Sequence, residues 1–131
     1  MNKFIGQTVK EIKKTDSEIL FICESGDRFI MYHSQDCCEW VSIDDISGDL
    51  NDLIGSPILK FEERTSGEPQ EGQEVDKYLT FTWTFYTIAT VKGYVDIRWY
   101  GESNGYYSES VDFEEVKQDR KWYEQQCELL K

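Results

Sequence analysis

"YLTFTWTFYTIAT", residues 78–90, decides the fold. Apolar and hydroxyl-bearing side chains alternate along it, the period of an extended chain whose successive side chains point to opposite faces. Leu79, Phe81, Trp83, Phe85 and Ala89 then share one face, and Thr80, Thr82, Thr84 and Tyr86 the other. The expectation is a strand with its aromatic face in the core and its Thr/Tyr face in water. After "VKG" at 91–93 the pattern repeats, with Val95, Ile97 and Trp99 inward and Asp96, Arg98 and Tyr100 outward.

The flanking sequence extends this β pattern. Residues 8–14 and 18–23 read as strands, and "ESGD" at 24–27 is turn chemistry leading into a third strand at 28–33. "DDISGDLNDLIG" at 44–55 carries Ile46, Leu50, Leu53 and Ile54 at helical spacing interrupted by Gly48, which suits a short helix or turns before a strand at 58–64. Residues 65–76, "TSGEPQEGQEVD", have the composition of a loop between strands. "GESNG" at 101–105 predicts a turn into a further strand at 106–113, with Asn104-Gly105 as its turn dipeptide. Asp112 stands where an N-cap belongs, Glu115 completes a capping-box pair, and Val111 and Val116 occupy the staple positions of a C-terminal helix. Val116, Tyr123, Cys127 and Leu130 would be its apolar stripe. The fold class expected is therefore α+β: one domain over residues 1–131, a curved antiparallel β-sheet of about six or seven strands with a C-terminal helix packed on it.

Composition narrows the function classes. At 131 residues, with 39% apolar and 15% aromatic side chains, the chain can bury a core without metal or disulfide staples. No run of about 18 apolar residues occurs, and the first residues lack the apolar stretch of a secretion signal, so the expectation is a soluble cytoplasmic protein. Cys37 and Cys38 are sequence neighbours, poorly placed to bridge each other, and reduced thiols are expected. A net charge of −12 repels nucleic acid and anionic membranes, which argues against direct binding to either.

The charge is also unevenly placed. No Lys or Arg lies between Arg28 and Lys60, a window holding Asp36, Glu39, Asp44, Asp45, Asp49 and Asp52. A second window without bases, 101–116, holds Glu102, Glu109, Asp112, Glu114 and Glu115. Such windows serve as a solvated acidic surface or as a surface that meets a basic partner.

Two stretches gather candidate site residues. "HSQDCCEWVSIDD", 33–45, joins the single histidine, His33, to Asp36, Cys37, Cys38, Glu39, Asp44 and Asp45. The donor types suit zinc, but no Cys-x-x-Cys knuckle is present. A thiol nucleophile activated by His33 lacks an assignable orienting residue. The start of a calcium loop at Asp45 fails, because Leu50 stands where glycine is needed and Ser56 where the bidentate glutamate belongs. The second stretch, "RWYGESNGYYSESVDF" at 98–113, carries Asn104, Tyr106, Tyr107 and Glu109. If Tyr100 pairs with Tyr106 in a hairpin, Glu109 faces Ile97 on the core side, and a carboxylate there must be paired, protonated or at the mouth of a pocket; a bulge at Ser108 or Ser110 would instead turn it outward. No phosphate loop, nucleophile elbow or zinc-protease helix motif occurs, and nothing in the sequence requires a cofactor.

"HSQDCCEWVSIDDISGDLNDLIGSPIL", "TWTFYTIAT" and "RWYGESNGYYSESVDF" together resemble a family of small uncharacterised proteins encoded by bacteriophages and prophages, over roughly residues 28–113. The resemblance implies an accessory protein of the bacterial cytoplasm that acts by binding a host component. The leading expectation is a non-enzymatic interaction module that engages, and by doing so inhibits, a basic host or defence protein. The alternative is a small-ligand or metal-ion site where the 33–45 loop meets the 101–109 hairpin. A hydrolase using Glu109 or the cysteine pair with His33 ranks below both. A homodimer is expected only if the Thr/Tyr face stays uncovered.

Overall fold

The computed structural model describes residues 3–35, 37–69, 73–74 and 79–116. Among these residues eight strands run in the order β1 (Val9–Lys14), β2 (Glu18–Cys23), β3 (Arg28–Tyr32), β4 (Trp40–Ser47), β5 (Lys60–Ser66), β6 (Thr80–Thr90), β7 (Gly93–Ser103) and β8 (Asp112–Glu115), with one 3-10 turn at Leu50–Leu53. They form two four-stranded antiparallel sheets, β1-β2-β3-β8 and β4-β7-β6-β5. This corrects the α+β expectation of a single curved sheet: among the described residues there is no α-helix, and none is long and apolar enough to cross a membrane.

The two sheets share one core. Phe21, Phe29 and Met31 of the first sheet join Tyr86, Ile88, Val95, Ile97 and Trp99 of the second in a single apolar cluster. The Trp99 indole Nε1 donates to Met31 Sδ at 3.2 Å, tying the sheets together at the centre. Phe4 enters the cluster edge-on to Phe21, with ring centroids 5.3 Å apart. On the other face of the first sheet, Leu20, Ile22 and Ile30 form a smaller buried cluster with Tyr32 and Val116. That is why every residue of β2 is buried.

Three further expectations change. The staged helix start is a strand: Asp112 to Glu115 pair with β3, Asp112 opposite Tyr32 and Glu115 opposite Phe29. The remainder of the expected helix lies outside the described residues. The 98–113 hairpin does not form either, because β7 runs on to Ser103 between β4 and β6, and residues 104–111 cross from the second sheet to the first.

The third change reverses the two faces of β6. Thr84 and Tyr86 are buried, at 1% and 0% exposure, and Ile88 lies beside them in the core. Phe81, Trp83 and Phe85 face outward instead. Cross-strand pairing dictates this, since Tyr86 sits opposite Ile97 and Thr84 opposite Trp99, and directly paired residues share a face. β7 keeps the faces expected of it, with Val95, Ile97 and Trp99 fully buried.

Burial shifts several ionisable groups. The Cys23 thiol is pushed up to about 11, so it stays protonated as a small core residue. Burial, reinforced by Glu63, raises the Tyr86 phenol, which donates to Glu63 Oε2 at 2.5 Å. Asp112 is raised chiefly by burial and then by the nearby Glu114 carboxylate, against a lowering contribution from His33. A raised carboxyl in the fold means that ionised Asp112 costs stability at neutral pH and that this cost disappears as pH falls through its folded pKa. Asp112→Asn is therefore expected to stabilise the domain near pH 7, with the gain shrinking toward about pH 4. Urea unfolding at the two pH values checks it, and a gain that grows on acidification refutes it.

Candidate functional site

His33 leaves the end of β3 and makes two bonds across the 33–39 loop and the 104–111 crossing. Its Nδ1 lies 2.6 Å from the Ser110 carbonyl oxygen, and its Nε2 lies 2.7 Å from Glu39 Oε2. Both side chains are shielded, at 4% and 0% exposure. A carbonyl only accepts, so Nδ1 carries hydrogen. Glu39 Oε1 meanwhile accepts the Cys37 backbone N–H at 2.9 Å. One further proton must therefore sit between Nε2 and Oε2, either as imidazolium against carboxylate or as imidazole against carboxylic acid. The Gln35 side-chain amide closes the loop by donating to the Glu39 carbonyl at 2.8 Å.

Cys37 and Cys38 stand exposed beside this pair and are joined as a vicinal disulfide, against the expectation of two reduced thiols. Asp36 lies outside the described residues. Among those described, no group of three or more His, Cys, Asp or Glu side chains is arranged to hold a metal ion.

Glu109 points to the core side of the second sheet, positioned by the crossing of residues 104–111 and not by the expected hairpin. Its carboxylate accepts the Thr80 hydroxyl, the Thr82 hydroxyl at 2.8 Å and the Ser103 hydroxyl at 2.5 Å. These are the first rungs of β6 and the last of β7, which the register sets side by side. Gly101 makes room for the crossing chain: a Cβ there would stand 2.8 Å from the Glu109 carbonyl oxygen and 3.0 Å from both Glu109 Cβ and Val41 Cγ2. Of the other residues in this stretch, Asn104 Oδ1 accepts the Tyr106 N–H at 3.0 Å, which makes a turn. Tyr107 supplies a carbonyl to Ser103 Oγ at 3.3 Å. Tyr106 is 83% exposed, with its ring 5.0 Å from that of Tyr107.

The two acidic windows are neighbours in space, since Trp40 pairs with Glu102 and His33 reaches Ser110. Asp44 and Asp45, however, sit on the opposite face of the second sheet from Glu109. A register shift between Ile43 and Asp45 leaves Asp44 unpaired in the ladder, and its carboxylate instead holds Arg98, 2.8 Å from Nε and 2.5 Å from Nη2.

Sequence reasoning missed the outer face of the second sheet. The pairings Asp45–Arg98, Arg98–Phe85 and Phe85–Arg64 place these four side chains in one row across all four strands. The Arg64 guanidinium carbon lies 4.1 Å from the Phe85 ring centre, and that of Arg98 lies 5.0 Å from the Trp83 ring centre. Trp83 also packs on Tyr100, 4.7 Å between rings, and donates from Nε1 to Gln73 at 2.9 Å. Burial and then Glu102 raise the Tyr100 phenol, so it remains a neutral donor here. Two adjoining cavities of about 410 Å³ each open on this face and share Arg64, Phe85 and Thr87.

No curated protein and no solved structure matches the sequence. The model of a family described as a domain of unknown function, DUF7448, matches residues 2–113. An aromatic, arginine-bearing sheet face and a loop crossing fixed by His33, Glu39 and Glu109 are thus the features of this member, and the chain belongs to the DUF7448 family.

Proposed function

We propose that this chain is a non-enzymatic interaction module of phage or prophage type, cytoplasmic in a bacterial host, that binds a basic host or defence protein through the outer face of its second sheet. The observation that carries the reading is the composition of that face. Trp40, Tyr94, Tyr100, Arg64 and Arg98 are the residue types that dominate binding energy at protein interfaces, and they share one side of one sheet. Trp40 and Tyr94 are 61% and 64% exposed, whereas the wet face of an antiparallel sheet ordinarily carries short polar side chains. The net charge of −12 supplies steering toward a cationic partner, with Asp45, Asp96 and Glu102 on the same face.

The alternative ligand site at the join of the two loops is less favoured, because its polar groups are used within the chain. Both His33 nitrogens, both Glu39 carboxylate oxygens and both Glu109 carboxylate oxygens have partners. Affinity capture from bacterial lysate with wild type and with a Trp40→Ala/Tyr100→Ala double variant tests the proposal. A basic protein should be held by the wild type at low salt, released as salt rises, and recovered about tenfold less well by the variant. Recovery that is insensitive to both salt and the double substitution rejects the reading.

A further inference from the structure

Cys37 and Cys38 lie exposed in the loop that carries the chain from β3 to β4, and their disulfide is hydrogen-bonded into the shielded His33–Glu39 pair. Cys37 is held from both sides. Its N–H donates to Glu39 Oε1 at 2.9 Å, and its carbonyl accepts the Gln35 side-chain amide at 3.3 Å. The same Gln35 nitrogen donates to the Glu39 carbonyl at 2.8 Å, and the second carboxylate oxygen of Glu39, Oε2, meets His33. Directly after Glu39 comes Trp40, the first residue of β4, at 61% exposure. A closed ring of two cysteines thus sits where the anchored loop passes into the second sheet.

We infer that Cys37–Cys38 is a site of thiol–disulfide exchange, opened by a dithiol reductant and coupled through Glu39 to His33. Both cysteines are exposed, so their sulfurs are open to attack, and exposed disulfides are the labile ones. In the cytoplasm proposed above, a disulfide is ordinarily transient or redox-sensing, and that placement is all the inference takes from the interaction reading. The step balances. A thiolate of the reductant attacks one Sγ, the Cys37–Cys38 bond breaks, and the departing Sγ takes a proton. The second thiolate of the reductant then displaces the other Sγ, which is protonated in turn. The chain gains two electrons and two protons as two thiols, and the reductant leaves as its own disulfide. While the ring is closed, Cys37 and Cys38 share few torsions and the Cys37 N–H keeps its direction toward Glu39. Opening frees those torsions and releases the N–H. A Glu39 carboxylate that loses this donor holds the shared proton more strongly, which draws it from His33 Nε2 toward Oε2.

The test treats the folded, 15N-labelled protein with dithiothreitol and, after its removal, with oxidised glutathione. Alkylation and peptide mapping should find Cys37 and Cys38 blocked at first, both modified after reduction, and blocked again after reoxidation. In the open form the Cys37 amide should exchange hydrogen about tenfold faster. The His33 Nε2 signal should move toward that of an unprotonated nitrogen, and the Trp40 amide should shift with it. Cys37→Ser/Cys38→Ser, a pair of exposed substitutions, should show the open-form signals without any reductant. Cysteines already free before reduction, a disulfide that persists in dithiothreitol while the protein stays folded, or His33 and Cys37 signals identical in the two forms overturns the inference. Binding through the outer sheet face is tested separately, by capture with the Trp40→Ala/Tyr100→Ala variant.

Discussion

Trp99→Ala is expected to remove about 3–5 kcal/mol of unfolding free energy, a large part of what a domain of this size possesses. Trp99 is fully buried at the middle of the central strand of the second sheet, opposite Ile43 on one side and Thr84 on the other. Its indole spans the gap to the first sheet and ends on Met31, itself fully buried. Truncation therefore leaves a cavity between the two sheets, and the strand ladders on either side hinder collapse into it. Trp99→Phe retains most of the packing and loses the N–H to sulfur contact, so about 1–2 kcal/mol is expected. Urea unfolding followed by circular dichroism separates the two; a Trp99→Ala loss below about 1 kcal/mol would show that the sheets are not coupled through this residue.

Local patterns in the sequence located most strands but not their layering. The opening meander at 8–33 and the inward face of Val95, Ile97 and Trp99 were readable because turn residues and alternation agree there. Alternation alone misread β6, where large side chains stand on both faces: Trp83 and Phe85 on one, Tyr86 and Ile88 on the other. The hairpin itself held the missing information. Val91 and Lys92 form a two-residue connection between Thr90 and Gly93, which sets Ile88 opposite Val95, and with Val95 inward Tyr86 and Thr84 must follow. β4 was missed for a different reason. Its acidic outer positions, Asp44 and Asp45, resemble a loop when read singly, and only pairing with Arg98 on β7 makes a strand of them. The capping-box reading of Asp112 to Glu115 failed because four residues beside an open strand edge gain a ladder with β3, and that tertiary gain outweighs the local signal.

The site residues divide along the same line. The core-side placement of Glu109 was expected from a hairpin that does not form, and its partners were not legible at all, since Thr80 and Thr82 lie 29 and 27 residues earlier. The outer row of Asp45, Arg98, Phe85 and Arg64 draws one residue from each of four strands, so no window of sequence contains it. A surface of this kind becomes visible only when the register of the whole sheet is known.

The His33 and Glu39 pair gives the second large effect. Glu39→Ala is expected to cost about 3–5 kcal/mol, because it leaves a shielded imidazole without the group that shares its proton and strips the Cys37 N–H of its acceptor. Glu39→Gln should cost about 1 kcal/mol or less, since the amide can donate to Nε2 while its carbonyl keeps the Cys37 bond. The two variants remove the same charge, so a difference between them isolates hydrogen bonding from electrostatics. Nitrogen-15 spectra of the His33 ring supply the independent readout: in the wild type the Nε2 signal should reflect the proton shared with Glu39, and in Glu39→Gln it should move to that of an unprotonated nitrogen that accepts an amide hydrogen, while Nδ1, bound to the Ser110 carbonyl, stays protonated. Equal stability losses for Ala and Gln would assign the cost to the missing charge and none of it to the hydrogen bonds, and an unchanged Nε2 signal in the Gln variant would show that Nε2 holds its proton without Glu39.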